Sequence, residues 1–155
     1  MTTMPAPVAG FLKARRIAVA GVSRQGSQPA NLIFRRLRDS GREVFAVNPK
    51  TPMIEGVTCY PDVSSVPGPL EAVMIVTPPV EAAGVVRQCA DRGVKRVWFH
   101  RSFGTGSVSD EAVQACQNLG IDAIVGGCPM MFGEPVDVGH TCMRWWLQRR
   151  GRVPR

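Results

Sequence analysis

Residues 16–31 read Arg16-Ile17-Ala18-Val19-Ala20-Gly21-Val22-Ser23-Arg24-Gln25-Gly26-Ser27-Gln28-Pro29-Ala30-Asn31. Ile17 to Ala20 form a short apolar run with the residue types of a strand, the next stretch is rich in Gly, Ser and Arg, and Pro29 is suited to the first turn of a helix. A strand that passes through a glycine-bearing loop into a helix N-terminus has the outline of a phosphate cradle. Gly21 and Gly26 are expected to let the backbone turn and approach a ligand, and the free N–H groups of the first helical turn favour negative charge.

The same unit repeats outward from this stretch. Ile17 to Ala20, Glu43 to Val47, Ala72 to Thr77, Arg96 to His100 and Asp122 to Val125 are nearly continuous apolar runs, as expected of strands buried on both faces of a parallel sheet. Helical stretches near 30–40, 79–92 and 108–119 lie between them, each followed by Gly41, Gly93 or Gly120 as a helix-ending residue. Pro29 and Pro79 suit first-turn positions, and Ser107 or Ser109 can cap the third helix. With a short extra strand at Val57 to Tyr60, the expected fold is α/β: a doubly wound, mainly parallel sheet with helices on both faces, in a single domain. That domain spans residues 1–155, with a core of about 11–135 and a C-terminal helix and basic tail over 136–155.

Composition narrows the partners. At 155 residues and 45% hydrophobic content the chain can bury one core. The five cysteines (Cys59, Cys89, Cys116, Cys128 and Cys142) are odd in number, scattered and without a Cys-x-x-Cys pair, which suits reduced thiols in a cytoplasm. The N-terminus lacks the basic and apolar regions of a signal peptide, and no apolar stretch approaches ~20 residues, so no membrane partner is expected. The net charge of +7 is concentrated at Arg35, Arg36, Arg38 and Arg42 and again from Arg144 onward. No nucleic-acid motif or aromatic platform accompanies it, so nucleic acid is not expected either.

In an open α/β sheet the ligand sits beyond the carboxyl ends of the strands where strand order reverses. Three loops are expected to meet there: Gly21 to Ser27, Val47-Asn48-Pro49-Lys50, and Val76-Thr77-Pro78-Pro79. A fold reading plain NAD usually carries Asp or Glu at the end of the second strand to bind the ribose hydroxyls. This chain has Asn48, Pro49 and Lys50, and a lysine there can pair with a phosphate on the ribose. NADP and coenzyme A both carry one.

Gly21-x-x-x-x-Gly26 departs from the usual dinucleotide Gly-x-Gly-x-x-Gly. Together with Asn48-Pro49-Lys50, Thr77-Pro78-Pro79, Val97-Trp98-Phe99-His100 and Gly127-Cys128-Pro129-Met130-Met131-Phe132, it resembles the stand-alone CoA-binding domain proteins. These are similar in turn to the Rossmann-like nucleotide-binding domain of the succinyl-CoA synthetase α subunit. The resemblance runs from about Phe11 to Trp146. It implies that Gly21, Ser23, Arg24, Gln25, Gly26 and Ser27 hold the CoA phosphates and that Asn48, Pro49 and Lys50 lie beside the adenosine 3′-phosphate. Val76, Thr77, Pro78 and Pro79 would cover the adenine and pantetheine side. The synthetase loop has glycine where this chain has Arg24, which could add a bidentate phosphate contact or point into solvent. The synthetase's phosphohistidine belongs to a following ligase domain for which this chain leaves no room, and His100 does not correspond to it. The resemblance therefore implies binding of CoA or an acyl-CoA without ligase chemistry.

Two further residues stand at predicted strand ends. His100 is expected to contact the ligand; as a general base it would lack a second acid or base beside it. Cys128 is expected to be a buried small hydrophobe, with thiol exchange as the sharper alternative. Cys128, His140 and Cys142 match no regular zinc spacing, so no metal is expected. Val138, Cys142, Trp145 and Trp146 share helical spacing near the C-terminus, and this helix is expected to pack its tryptophans on the domain or to present them to a second copy or protein partner. The overall expectation is a cytoplasmic, non-catalytic CoA carrier or regulatory module. The alternative is an NADP-dependent oxidoreductase, which would need a hydride-acceptor pocket with an acid such as His100.

Overall fold

Strand β1 (Arg16–Ala20) turns Ile17 and Val19 to one face of the sheet and Ala18 and Ala20 to the other, and all four are buried. The computed structural model, which describes residues 4–133 and 135–154, repeats this two-sided burial in β5 (Ala72–Ile75) and β6 (Arg96–Phe99). Four more strands complete the sheet: β2 (Glu43–Val47), β3 (Met53–Ile54), β4 (Val57–Tyr60) and β7 (Asp122–Val125). Their order is β3-β4-β2-β1-β5-β6-β7, and only β3 runs antiparallel to its neighbour. Two-sided burial of parallel strands requires helices on both faces. Helices α1 (Ala6–Leu12), α2 (Pro29–Asp39) and α5 (Val138–Arg149) cover the Ile17 face; α3 (Pro79–Asp91) and α4 (Asp110–Leu119) cover the Ala18 face. The result is the single doubly wound α/β domain expected from the strand pattern.

Helix ends follow local chemistry. Pro29 and Pro79 occupy the first positions of α2 and α3. Ser109 caps α4 by accepting the Ala112 N–H at 3.0 Å, whereas the Ser107 N–H is used by the His100 carbonyl at 2.8 Å. Gly41, Gly93 and Gly120 all take positive φ just past their helices.

Several local expectations need correction. The fifth strand ends at Ile75 instead of Thr77, and the sixth at Phe99 instead of His100. α1 and β3 were not anticipated. α5 packs only one of its tryptophans, and that one partly: Trp146 lies against Phe103, whereas Trp145 is 55% exposed and Val138 80%, and Leu147 is the fully buried residue. The rotation of α5 is set by Leu147 and Met143 facing the core, and by Arg144, which donates to the Met131 carbonyl at 3.0 Å and lies over the Phe132 ring. The segment after α5 folds back, burying Val153 against the Gly126–Gly127 turn at the end of β7.

The register aligns the strand ends that matter. Ala20 pairs with Val47 on one side and Ile75 on the other, so Gly21, Asn48 and Val76 leave the sheet side by side. β1 is followed in sequence by a strand on one side and, later, by β5 on the other, which makes the β1/β5 boundary the switch point.

Candidate functional site

Gly21 leaves the sheet with φ +103°, and a Cβ there would lie 2.5 Å from the Val76 carbonyl oxygen. Only glycine lets these two chain segments come so close. Gly26, by contrast, has no positive φ, and a Cβ there would make ordinary contacts, at 3.4 Å with Glu55 and 3.5 Å with Arg35. Of the two glycines expected to let the backbone turn, Gly21 takes a positive φ, required by its approach to the Val76 backbone, and Gly26 does not.

The loop between them is braced from behind. Asn31, fully buried in the first turns of α2, accepts the Ser23 N–H at 2.8 Å and donates to the Ser23 carbonyl at 2.7 Å. It also donates to Glu55 at 3.2 Å. Glu55 pairs with Arg35 at 2.6 Å, and Arg35 donates to the Gly26 carbonyl at 2.9 Å. Glu55 holds this place with φ +48°, a left-handed conformation at the tip of the β3–β4 hairpin. With the Ser23, Gln25 and Gly26 carbonyls and the Ser23 N–H tied back, the loop keeps the N–H groups of Arg24, Gly26 and Ser27 without partners among the described residues. The Ser23 hydroxyl accepts from the Gln25 N–H at 3.1 Å, a local turn that fixes the arc.

Asn48 is spent on architecture as well. Its amide donates to the Val22 carbonyl at 2.5 Å and accepts the Lys50 N–H at 2.8 Å, so it joins the first and second loops. Lys50 is thereby held at the rim, exposed, in none of the ion pairs among the described residues.

Two clefts flank the resulting ridge of Gly21, Ser23, Val76, Thr77 and Pro78. The larger, about 610 Å³, runs along Asn48, Pro49 and Lys50 to the first turns of α3, with Asp62, Glu81 and Arg87 among its walls. The smaller, about 420 Å³, opens on the other side toward Gln28, Pro29, Ala30, His100, Phe103 and Ser107, with no charged residue in its lining. Thr77 belongs to both, and its buried hydroxyl has no hydrogen-bond partner. An unpaired buried hydroxyl is costly unless a ligand satisfies it.

His100 is 8% exposed, and burial pulls its pKa down to about 4, so the ring is neutral near pH 7. Its Nε2 lies 3.2 Å from the Ser102 hydroxyl. Cys128 is buried, and desolvation pushes its thiol up to about 12, which keeps it protonated and inert to exchange. No cluster of three or more metal-binding side chains occurs among the described residues, and none of their helices is long and apolar enough to cross a membrane.

Of the residues singled out from sequence, Gly21, Ser23, Asn48, Pro49, Lys50, Val76, Thr77 and Pro78 meet at the larger cleft, and His100 lines the smaller. Arg24, Gln25, Gly26 and Ser27 form the outer arc of the loop and wall neither cleft; Pro79 begins α3 just behind. Arg24 itself is exposed. Sequence reasoning missed Asn31, Glu55, Arg35 and Phe103. A polar residue inside the apolar stripe of α2 was the available signal for Asn31. Phe103 stands in a Gly/Ser-rich loop with no periodicity to reveal it.

The family described as CoA binding domain matches residues 15–134. The chain is 31% identical over 151 residues to the α subunit of ADP-forming acetate–CoA ligase II of Pyrococcus furiosus, covering 92% of this chain and 32% of that subunit. It is 28% identical over 143 residues to ADP-forming acetate–CoA ligase I of Archaeoglobus fulgidus, covering 88% of this chain and 21% of the ligase. It thus spans a fifth to a third of the length of these ligases. Among solved structures, a protein of Pyrococcus horikoshii OT3 superposes with a TM-score of 0.77 at 26% identity, covering 88% of this chain and 98% of that one. A dinucleotide-forming acetyl-coenzyme A synthetase of Ca. Korarchaeum cryptofilum superposes with a TM-score of 0.62 at 29% identity, covering 71% and 25%.

Proposed function

The chain belongs to the CoA binding domain family, and from that premise we propose that it binds coenzyme A or an acyl-CoA across the Gly21–Thr77 ridge, as a carrier or regulatory module without chemistry of its own. The observation that carries this reading is the pair of unlike clefts sharing one ridge. The larger cleft carries Lys50 and Arg87 as well as Asp62 and Glu81, and the smaller carries no charged residue. A molecule with a polyanionic nucleotide at one end and an uncharged arm at the other therefore finds cations to meet only on the Lys50 side. Lys50 meets the ribose phosphate, the pyrophosphate crosses at Gly21 and Ser23, which line both clefts, with the free N–H groups of the outer arc beside it, and the arm passes over Thr77 toward His100. Arg24, exposed on the outer arc, adds charge to the approach more than to the seat.

Support for a non-catalytic role comes from the groups at hand. His100 is neutral, its ring partner is a serine, and no carboxylate lines its cleft. Proton transfer needs a donor and an acceptor of matched pKa within reach. Cys128 is a protonated, buried thiol. The five free thiols, four of them buried, suit a reducing cytoplasm. If the module is regulatory, Val138 and Trp145, exposed on α5, are the surface for a protein partner or second copy.

Calorimetric titration with CoA, dephospho-CoA and NADPH tests the assignment. CoA is expected to bind tightest. A charge-assisted contact is worth roughly 1.5–3 kcal/mol, so Lys50→Ala weakens CoA binding about tenfold or more and leaves dephospho-CoA almost unaffected. NADPH binding tighter than CoA would instead establish the oxidoreductase alternative, which Lys50 serves equally well.

A further inference from the structure

We propose that the ligand this site selects is an acyl thioester of CoA carrying an uncharged, apolar acyl group, and that Phe103 and Trp146 are the residues that select it. The inference rests on the CoA reading above and extends it to the far end of the ligand.

The smaller cleft closes on Phe103, whose side chain is 62% exposed although its loop is firmly held. The Ser107 N–H donates to the His100 carbonyl at 2.8 Å, and Gly106, at φ +59°, packs so closely that a Cβ would lie 2.3 Å from that same carbonyl oxygen. The phenyl ring is therefore presented at the cleft mouth by a folded turn. Trp146 of α5 lies against it, with ring centroids 5.9 Å apart, and is itself 37% exposed. The Arg150 guanidinium sits 4.1 Å from the Trp146 ring centroid and helps hold the indole in place. Phe103 in the cleft lining and Trp146 against its outer side form an aromatic rim at the mouth of the uncharged cleft, on the side to which the arm runs in the reading above.

Free CoA ends in a small thiol and has nothing with which to cover these rings. An apolar acyl group removes both its own surface and theirs from water, a gain that scales with the area buried. A carboxylated acyl group would bring a charge against a cleft lining that offers no cation, and the one guanidinium at the rim, Arg150, already lies over the Trp146 ring. His100, uncharged at neutral pH, provides no exception.

The test compares free CoA, hexanoyl-CoA and succinyl-CoA by calorimetry on the wild-type chain, on Phe103→Ser and on Trp146→Ala. Hexanoyl-CoA is expected to bind wild type about tenfold tighter than the other two, the gain for burying a short alkyl chain on two rings. Each substitution is expected to bring the hexanoyl-to-free ratio to about twofold or less. Circular dichroism checks each fold; Trp146, partly exposed on a helix, serves if Phe103→Ser is unstable. Equal affinity for free and hexanoyl-CoA, or succinyl-CoA binding as tightly as hexanoyl-CoA, overturns the inference and leaves the CoA reading standing. A ratio unchanged by both substitutions, with a changed oligomeric state, overturns it too and makes the rings a docking face. If none of the three thioesters and thiols binds, the CoA reading itself falls.

Discussion

The two clefts on either side of the Gly21–Thr77 ridge are made in different ways. On the Lys50 side the walls come from loops that follow adjacent strand ends, and the first of these loops is tied from behind into a network: Asn48 to Val22, Asn31 to Ser23, Glu55 to Arg35, Arg35 to Gly26. On the His100 side the walls come from segments far apart in sequence, and the polar side chains, Ser23, Gln28, Thr77, His100 and Ser107, are all uncharged. The first arrangement holds backbone N–H groups in place for an anion. The second leaves an uncharged channel in which the buried Thr77 hydroxyl has no partner. Rigid polar positioning suits a fixed phosphate end, and an uncharged channel suits a variable arm.

The largest way to break the comparison is to remove the ridge both clefts share. Gly21→Val forces a branched side chain into φ +103° and against the Val76 carbonyl. A loss of about 3 kcal/mol or more is expected, read as a lower urea midpoint, together with loss of CoA binding on either side. Retention of wild-type stability would show that the ridge relaxes freely.

The next effect isolates the uncharged side. The folded pKa of His100 is pulled down to about 4 from an ordinary 6.5, so the neutral ring's contribution is complete above the unfolded value and is lost as pH falls through the folded one. Stability should fall by about 2–3 kcal/mol between pH 7.5 and 4.5 on this account. His100→Gln should flatten that part of the profile in urea titrations at the two pH values; an unchanged slope would assign the acid sensitivity to other groups.

The smallest effect touches only the braced side. Glu55→Gln weakens the tie from the hairpin tip to Arg35 while keeping a similar shape. A partly exposed ion pair is worth ~0.2–1 kcal/mol, so CoA binding should weaken about two- to fivefold, in calorimetry at low salt, with the hexanoyl-to-free ratio unchanged. A change in that ratio would show that the two sides are not independent.

How much of this was legible depends on how local its cause is. The five main strands, and the proline starts and glycine stops of α2 and α3, could be read because each depends on residues within one turn or one strand. α1 escaped because Pro5, Pro7 and Gly10 interrupt any helical signal, yet Val8 and Phe11 bury fully, with Phe11 edge-on to Trp98 at 5.2 Å. β3 escaped because two residues carry no period, and Glu55 beside it adopts a conformation that residue type rarely takes. The face of α5 was misread because Val138, Cys142 and Trp145 share a helical stripe, although Met143 and Leu147 are the residues that find the core.

By itself the sequence determined a parallel, two-sided sheet and the loops at its carboxyl edge, since continuous apolar runs and turn chemistry act over a few residues. It also placed Lys50 where an acid would serve NAD. Only the tertiary structure decided that Gly21 is a steric necessity while Gly26 is not, that Asn48 positions a loop, and that Trp146 meets Phe103, which shares a cleft with His100. Those facts depend on contacts between segments that neighbour each other only after the chain has folded, and no local pattern records them.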